Sequence, residues 1–257
     1  MRACLGSVSG SANHVVASSR DTPIGDRSVN AISHGRGPGQ SGLPKTPCAS
    51  SSFSIFHLNS QGLRCPPENL AKFDALLETL GRPDFVAVTE TWLDRATERC
   101  DLSGYHPVSR LDRRNMERTD RGGIALFVRN GLENRVVHIG NSDLDERSWH
   151  IIHSNSGPIL LCVWYRRPDQ GEIASIRRFE MEYEQFSEQA VAFVAVGDFN
   201  VHNKSWLRFS YADSPEGTEL ESVCCALGLR QHVKEPTRGP TFSTLFYRTS
   251  NPVLRAR

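Results

Sequence analysis

The sequence predicts an α/β fold in which two packed, mixed β-sheets are flanked by helices. Three observations carry that expectation. Unbroken apolar runs at 85–88 and 191–196 have the pattern of strands buried on both faces. Two helical stripes alternate with those runs: Leu70, Phe73, Leu76, Leu77 and Leu80, then Ile173, Ile176, Phe179, Tyr183 and Phe186. Hairpin signals lie between them, so the sheets are expected to be mixed rather than purely parallel and doubly wound.

Residues 1–52 are rich in Ser, Gly and Pro and lack periodic apolar positions, so they are expected to be disordered. Residues 53–257 then form the one folded domain. Order begins at 53–59, an alternating first strand. A turn through Gly62 and the Pro66-Pro67 pair leads into a helix over 68–80, stopped by Gly81 and Pro83. The second strand, 84–90, ends in a carboxylate. A long polar loop is expected over 104–121, with strands at 122–128 and 136–139. Segments 149–153 and 159–165 flank Asn155-Ser156-Gly157 as a hairpin. A second helix spans 173–186, and a core strand begins at 191. A third helix opens at Thr218, with Glu221 as its capping-box partner, and closes at Gly228.

Composition narrows the function classes. A net charge of +1 over 257 residues gives no global field for a polyanion, so any nucleic-acid contact must come from local patches. The seven cysteines are scattered, and no CxxC occurs. That pattern implies reduced thiols rather than a disulfide framework or a zinc site. No apolar run approaches the ~18 residues of a membrane span, and the first residues lack an apolar signal core. A soluble, intracellular protein without a membrane partner is the expectation; nothing in the sequence sets an oligomeric state.

The chemistry concentrates at strand ends. In the stretch 191–202 the apolar run stops at Gly197 and presents Asp198, Asn200 and His202 at alternate positions. On an extended backbone these share one face. The carboxyl end of a buried strand is where α/β proteins place their sites. Asn59, Glu90 and Tyr165 end other strands in the same way. One or two oxygen ligands suit Mg²⁺, which keeps several waters and takes the rest from a substrate phosphate. Amides and a phenol can donate to the charge of a phosphorane-like transition state, and a carboxylate can orient water. The set suits metal-assisted phosphodiester hydrolysis, whereas a plain reading makes each residue an ordinary strand end or turn. Trp92, Trp149 and Cys162 are expected in the core.

Six motifs occur in an order that resembles the endonuclease/exonuclease/phosphatase superfamily. They are Leu58-Asn59-Ser60-Gln61-Gly62, Thr89-Glu90-Thr91-Trp92-Leu93, Arg121-Gly122-Gly123-Ile124-Ala125, Trp164-Tyr165-Arg166-Arg167-Pro168, Gly197-Asp198-Phe199-Asn200-Val201-His202 and Glu235-Pro236-Thr237-Arg238. More narrowly, residues 53–240 resemble the endonuclease domain of non-LTR (LINE-type) retrotransposons. The resemblance implies a four-layer, DNase I-like sandwich. It further implies a Mg²⁺-dependent DNA endonuclease, with Mn²⁺ as a substitute ion, a nuclear location and association with a reverse transcriptase. Glu90 would be the principal metal ligand, with Asn59 completing that site. Tyr165 would contact the scissile phosphate or the leaving group. Asp198 would orient the attacking water and Asn200 would stabilise the transition state. His202 and Trp206 would give structural support. Arg113, Arg114, Arg118 and Arg121, in the polar loop with Arg110, would bind DNA phosphates. Asp112, Glu117 and Asp120 dilute that patch, and a solvated loop is the equal alternative.

The resemblance breaks at the carboxyl end. The family continues with a strand carrying an Asp and closes with a Ser-Asp-His motif. Here no Asp or Glu follows Glu235 and no His follows His232. The expectation is therefore a domain incomplete at its C-terminus, short of two catalytic groups and at least one core strand, with an unpaired sheet edge. Two alternatives stand beside the endonuclease. One is a catalytically dead remnant that at most binds nucleic acid, and the other is an enzyme of the same fold acting on another phosphoester.

Overall fold

The two apolar runs become central strands, each the second strand of a β-α-β unit. The computed structural model describes residues 12–19, 53–63, 68–94, 100–113, 121–168, 171–207, 210–231, 245–249 and 254–256. In chain order the strands are β1 (Ala12–Ser19), β2 (Phe53–Asn59), β3 (Phe85–Thr89), β4 (Tyr105–Leu111), β5 (Ile124–Arg129), β6 (Val136–Asn141), β7 (Glu146–Ser154), β8 (Gly157–Tyr165), β9 (Ala192–Asp198), β10 (Arg230–Gln231), β11 (Leu245–Thr249) and β12 (Leu254–Ala256). The helices are α1 (Glu68–Thr79), α2 (Ala174–Ser187) and α3 (Pro215–Ala226).

Two six-stranded sheets result, in the orders β12-β1-β2-β3-β5-β4 and β10-β11-β9-β8-β7-β6. In the first, β2 and β3 pair in parallel with α1 as their crossover. In the second, β8 and β9 pair in parallel with α2 as theirs. All the remaining pairings are antiparallel, so both sheets are mixed. The register sets Asn59 beside Thr89 and Tyr165 beside Asp198. Each unit thus delivers two strand ends side by side.

The sheets stack through Ile55, Phe85, Leu126 and Val128 on one side and Leu161, Val163, Val194 and Val196 on the other. Phe56, Val86 and Phe127 on the outer face of the first sheet bury Phe73 and Leu77 of α1. On the outer face of the second, Trp149, Trp164 and Phe193 bury Ile176 and Phe179 of α2 and Leu220 of α3. The order is helix, sheet, sheet, helix. Because β3, β8 and β9 are covered on both faces, their sequences are continuous apolar runs rather than alternating ones. Cys162 and Trp149 are fully buried. Arg147, also fully buried, fixes α2 to β7 by pairing with Glu182 at 2.8 Å and Asp145 at 3.1 Å.

The structure departs from the sequence expectation at several elements. The first third of the supposed loop at 104–121 is β4, paired to β5 with a bulge between Pro107 and Ser109. It is an edge strand, where a proline and mixed polarity are tolerated because one side needs no partner. Helix α3 starts at Pro215 rather than at Thr218. Ser214 is its N-cap, its hydroxyl accepting from Gly217 N at 3.0 Å, and Pro215 fits the first turn, where no amide donor is needed. Glu221 caps nothing; it accepts from Asn203 Nδ2 at 2.8 Å. Within 1–52, Ala12–Ser19 is strand β1, antiparallel to β2, where disorder was expected. Strand β11 lies antiparallel to β9. Among the described residues both parallel pairs are therefore flanked by an antiparallel strand on each side. Residues 232–244, which hold His232 and Glu235, lie outside the described residues.

Candidate active site

Four side chains leave the carboxyl ends of the parallel strands and gather where the two sheets face each other. Asn59 ends β2, Glu90 follows β3, Tyr165 ends β8 and Asp198 ends β9. Asn59 is the hub. Its amide nitrogen donates to Glu90 Oε1 and to Asp198 Oδ2, each at 2.8 Å. Both amide protons are thereby used, and they hold carboxylates from two different sheets toward one point. Asn59 is only 2% exposed, so these charge-assisted bonds work in a medium that strengthens them.

The turn carrying Glu90 is held from several sides. Glu90 and Trp92 both adopt left-handed backbone, with φ of +51° and +52°. Such residues cost about 1–3 kcal/mol each unless the surroundings fix them. Here Glu90 O accepts from Ser60 Oγ and from Gly62 N, both at 2.9 Å, and Trp92 N donates to Gly122 O at 2.9 Å. Trp92 Nε1 donates to the second oxygen, Glu90 Oε2, at 3.3 Å. Position 62 must be glycine: its φ is +104°, and a Cβ there would lie 2.7 Å from the Trp92 ring.

Tyr165 is 7% exposed, and its phenol pKa is pushed up, first by burial and then by the charges of Glu90 and Asp198. A neutral hydroxyl beside two carboxylates is a standing hydrogen-bond donor. The Arg113 guanidinium lies 5.8 Å from the centre of the Tyr165 ring and donates to Glu146 Oε1 at 2.6 Å. Burial raises the Glu146 pKa despite the opposing effects of Arg113 and the Gly123 amide. Asp198 Oδ1 accepts from Asn200 N at 3.3 Å, and Asn200 Nδ2 donates to Arg166 O at 2.7 Å. One amide proton of Asn200 is thus committed to the main chain.

The other residues singled out from sequence lie around this cluster. His202 sits against the start of α3: its O accepts from Ser214 N at 2.9 Å, and its ring centre is 5.2 Å from that of Tyr211. Arg121 stands over Trp92, 5.8 Å from the ring centre. Arg110 is held by Asp112 at 2.7 Å. Arg114 and Arg118 lie outside the described residues. Sequence reasoning missed Glu146, opposite Tyr165 in the β7–β8 register, and Arg166, which follows Tyr165. It also assigned Trp92 to the core, whereas the structure leaves it partly exposed beside Glu90.

The chain matches the endonuclease/exonuclease/phosphatase family over residues 56–255, a span that contains Asn59, Glu90, Tyr165, Asp198 and Asn200. The chain belongs to this family. The activities in the endonuclease/exonuclease/phosphatase name all hydrolyse phosphoester bonds, which is the chemistry the strand-end cluster has to be weighed against. No curated protein matches the chain. Among solved structures it is similar to the endonuclease domain of TRAS1, a telomere-specific non-LTR retrotransposon. The TM-score is 0.50 and the identity 17%, over 71% of this chain and 80% of that one. It is also similar to the AP endonuclease LMAP from Leishmania major, with TM-score 0.49, 18% identity and coverage of 67% and 66%. A third is the 3′-5′ exonuclease NExo from Neisseria meningitidis, with TM-score 0.47, 16% identity and coverage of 72% and 75%. The likeness to the TRAS1 domain is one of fold, the DNase I-like sandwich. No helix among the described residues is long and apolar enough to cross a membrane.

Proposed function

We propose that this protein is a metal-dependent phosphodiesterase that nicks DNA, of the non-LTR retrotransposon type. The observation that carries the reading is the Asn59 bridge, because a buried amide that turns two carboxylates toward one point prepares a seat for a cation and a water together. The donors are all hard oxygens, which fits Mg²⁺ or, in its place, Mn²⁺. Glu90 and Asn59 would hold the ion. Once bound, it would supply charge stabilisation at the phosphoryl oxygen.

The chain's own residues account for the rest. Asp198, oriented by Asn59 and by the Asn200 amide, takes the proton of the attacking water as the new P–O bond forms. Tyr165 donates from its neutral hydroxyl to the phosphate as the bond to the leaving oxygen breaks. Asn200 adds an amide near the charge that builds on the phosphate. Arg113, Arg114, Arg118 and Arg121 neutralise flanking phosphates, and His202 steadies the loop that carries Asn200. The retrotransposon reading is supported by the motif order over 53–240 and the likeness to the TRAS1 domain. A second reading, a smaller phosphoester as substrate, is favoured by one observation: Arg110 and Arg113 are already ion-paired to Asp112 and Glu146.

Supercoiled plasmid incubated with the purified chain decides between these. Open circles with Mg²⁺ and none with EDTA are expected. Release of phosphate from nucleotide monoesters with no plasmid nicking would move the assignment to the second reading. No metal-dependent activity on either substrate would leave a remnant that keeps the fold alone.

A further inference from the structure

We propose that Arg166 is a positioning residue that holds the Asp198–Asn200 turn against Tyr165, an inference that rests on the phosphodiesterase reading of the site. Arg166 is 2% exposed. An arginine keeps its charge when buried, so its placement has to be offset by fixed partners. Its Nη1 donates to Asn200 O at 3.1 Å and to Arg167 O at 3.3 Å, and its Nη2 donates to Glu172 O at 2.6 Å. Nη2 also lies 3.5 Å from Glu216 Oε1, a buried carboxylate in the first turn of α3.

The main chain completes the clamp. Arg166 N donates to Asp198 O at 2.8 Å, and Asn200 Nδ2 returns a bond to Arg166 O at 2.7 Å. Arg166 and Asn200 therefore grip each other twice, each side chain on the other's carbonyl. Asn200 needs that grip. It is a non-glycine residue at φ +46°, a conformation that persists only where its surroundings over-determine it. Because Arg166 directly follows Tyr165, the same contacts fix the phenol relative to the Asp198 carboxylate. The guanidinium fork, with donors in two directions, is what a lysine could not reproduce.

The competing role is a mere anchor for α3 through Glu216, and the test separates the two. Three variants of the full chain are compared: Arg166→Lys, Glu216→Gln, and Arg166→Gln combined with Glu216→Gln. The last leaves no unpaired buried carboxylate. In Mg²⁺-dependent plasmid nicking, kcat is expected to fall by about 10–10²-fold in both Arg166 variants, with KM within about threefold. Glu216→Gln keeps its kcat. Backbone hydrogen exchange over residues 197–203 accelerates in the two Arg166 variants, while peptides from β2 and β3 are unchanged. Unchanged exchange in a folded Arg166→Lys protein overturns the proposal. So does an equal loss of kcat in Glu216→Gln, or a rise in KM with kcat intact, which would make Arg166 a substrate contact. Exchange needs no activity: if the parent chain cuts no DNA, the phosphodiesterase reading fails and the clamp is judged on exchange alone.

Discussion

Asn59 shows how one neutral side chain can organise a charged site. Two carboxylates brought together repel, and the amide between them offsets part of that repulsion by donating to both. Tyr165 is the neighbouring neutral donor, its phenol pKa raised first by burial and then by the charges of Glu90 and Asp198. Tyr165→Phe keeps the ring under Arg113 and removes only the oxygen. We expect kcat to drop by about 10²-fold, with the melting temperature nearly unchanged. Steady-state nicking kinetics and a thermal melt check this together. Asn59, Glu90, Tyr165 and Asp198 were legible in the sequence because each is a polar residue at the end of a segment patterned as a strand. Arg166, Glu146 and Trp92 were not. The roles of Arg166 and Glu146 come from contacts distant in sequence, such as Arg166 to Asn200 and Arg113 to Glu146. Trp92 reaches Glu90 through a turn in which both residues adopt left-handed backbone, which no hydrophobic spacing encodes.

The β-α-β unit is the element that makes convergence possible. Parallel pairing places two strand ends adjacent, and stacking two such units brings four ends together. Close approach of β8 and β9 depends on Gly197, where an added Cβ would lie 1.8 Å from Trp164 O. Gly197→Ala therefore has to part the two strands next to Tyr165 and Asp198. We expect a loss of stability of about 3 kcal/mol or more, read by urea unfolding, together with loss of activity. The doubly buried strands and α1 and α2 were legible from period and apolar content. Strand β4 was not, because an edge strand with a proline and mixed polar and apolar residues carries neither signal. The start of α3 was displaced because Thr218 and Glu221 mimic a capping box three residues inside a helix that Ser214 already caps.

For the molecule as a whole, acid is the condition that should part the sheets. His57 and His150 are buried neutral, their pKa values lowered by burial to about 3. Above the unfolded value of about 6.5 neither state binds the proton, and the two histidines do not affect stability. Below it the unfolded chain takes up protons that the folded chain refuses, so stability falls as pH drops from about 6.5 toward 3. Between pH 7 and pH 5 the loss is roughly 2 kcal/mol per histidine. Urea unfolding at the two pH values should show it, and His150→Gln should flatten the dependence.

The most direct test of the strand-end cluster as a hydrolytic centre is plasmid nicking with Mg²⁺ by the parent chain beside Glu90→Gln and Asp198→Asn. Both substitutions keep shape and remove charge. The expected result is nicking by the parent and a fall of ~10²–10⁴-fold in each folded variant. Nicking at the parental rate by both variants would contradict it, since the chemistry would then reside somewhere other than the point where Asn59 joins the two sheets.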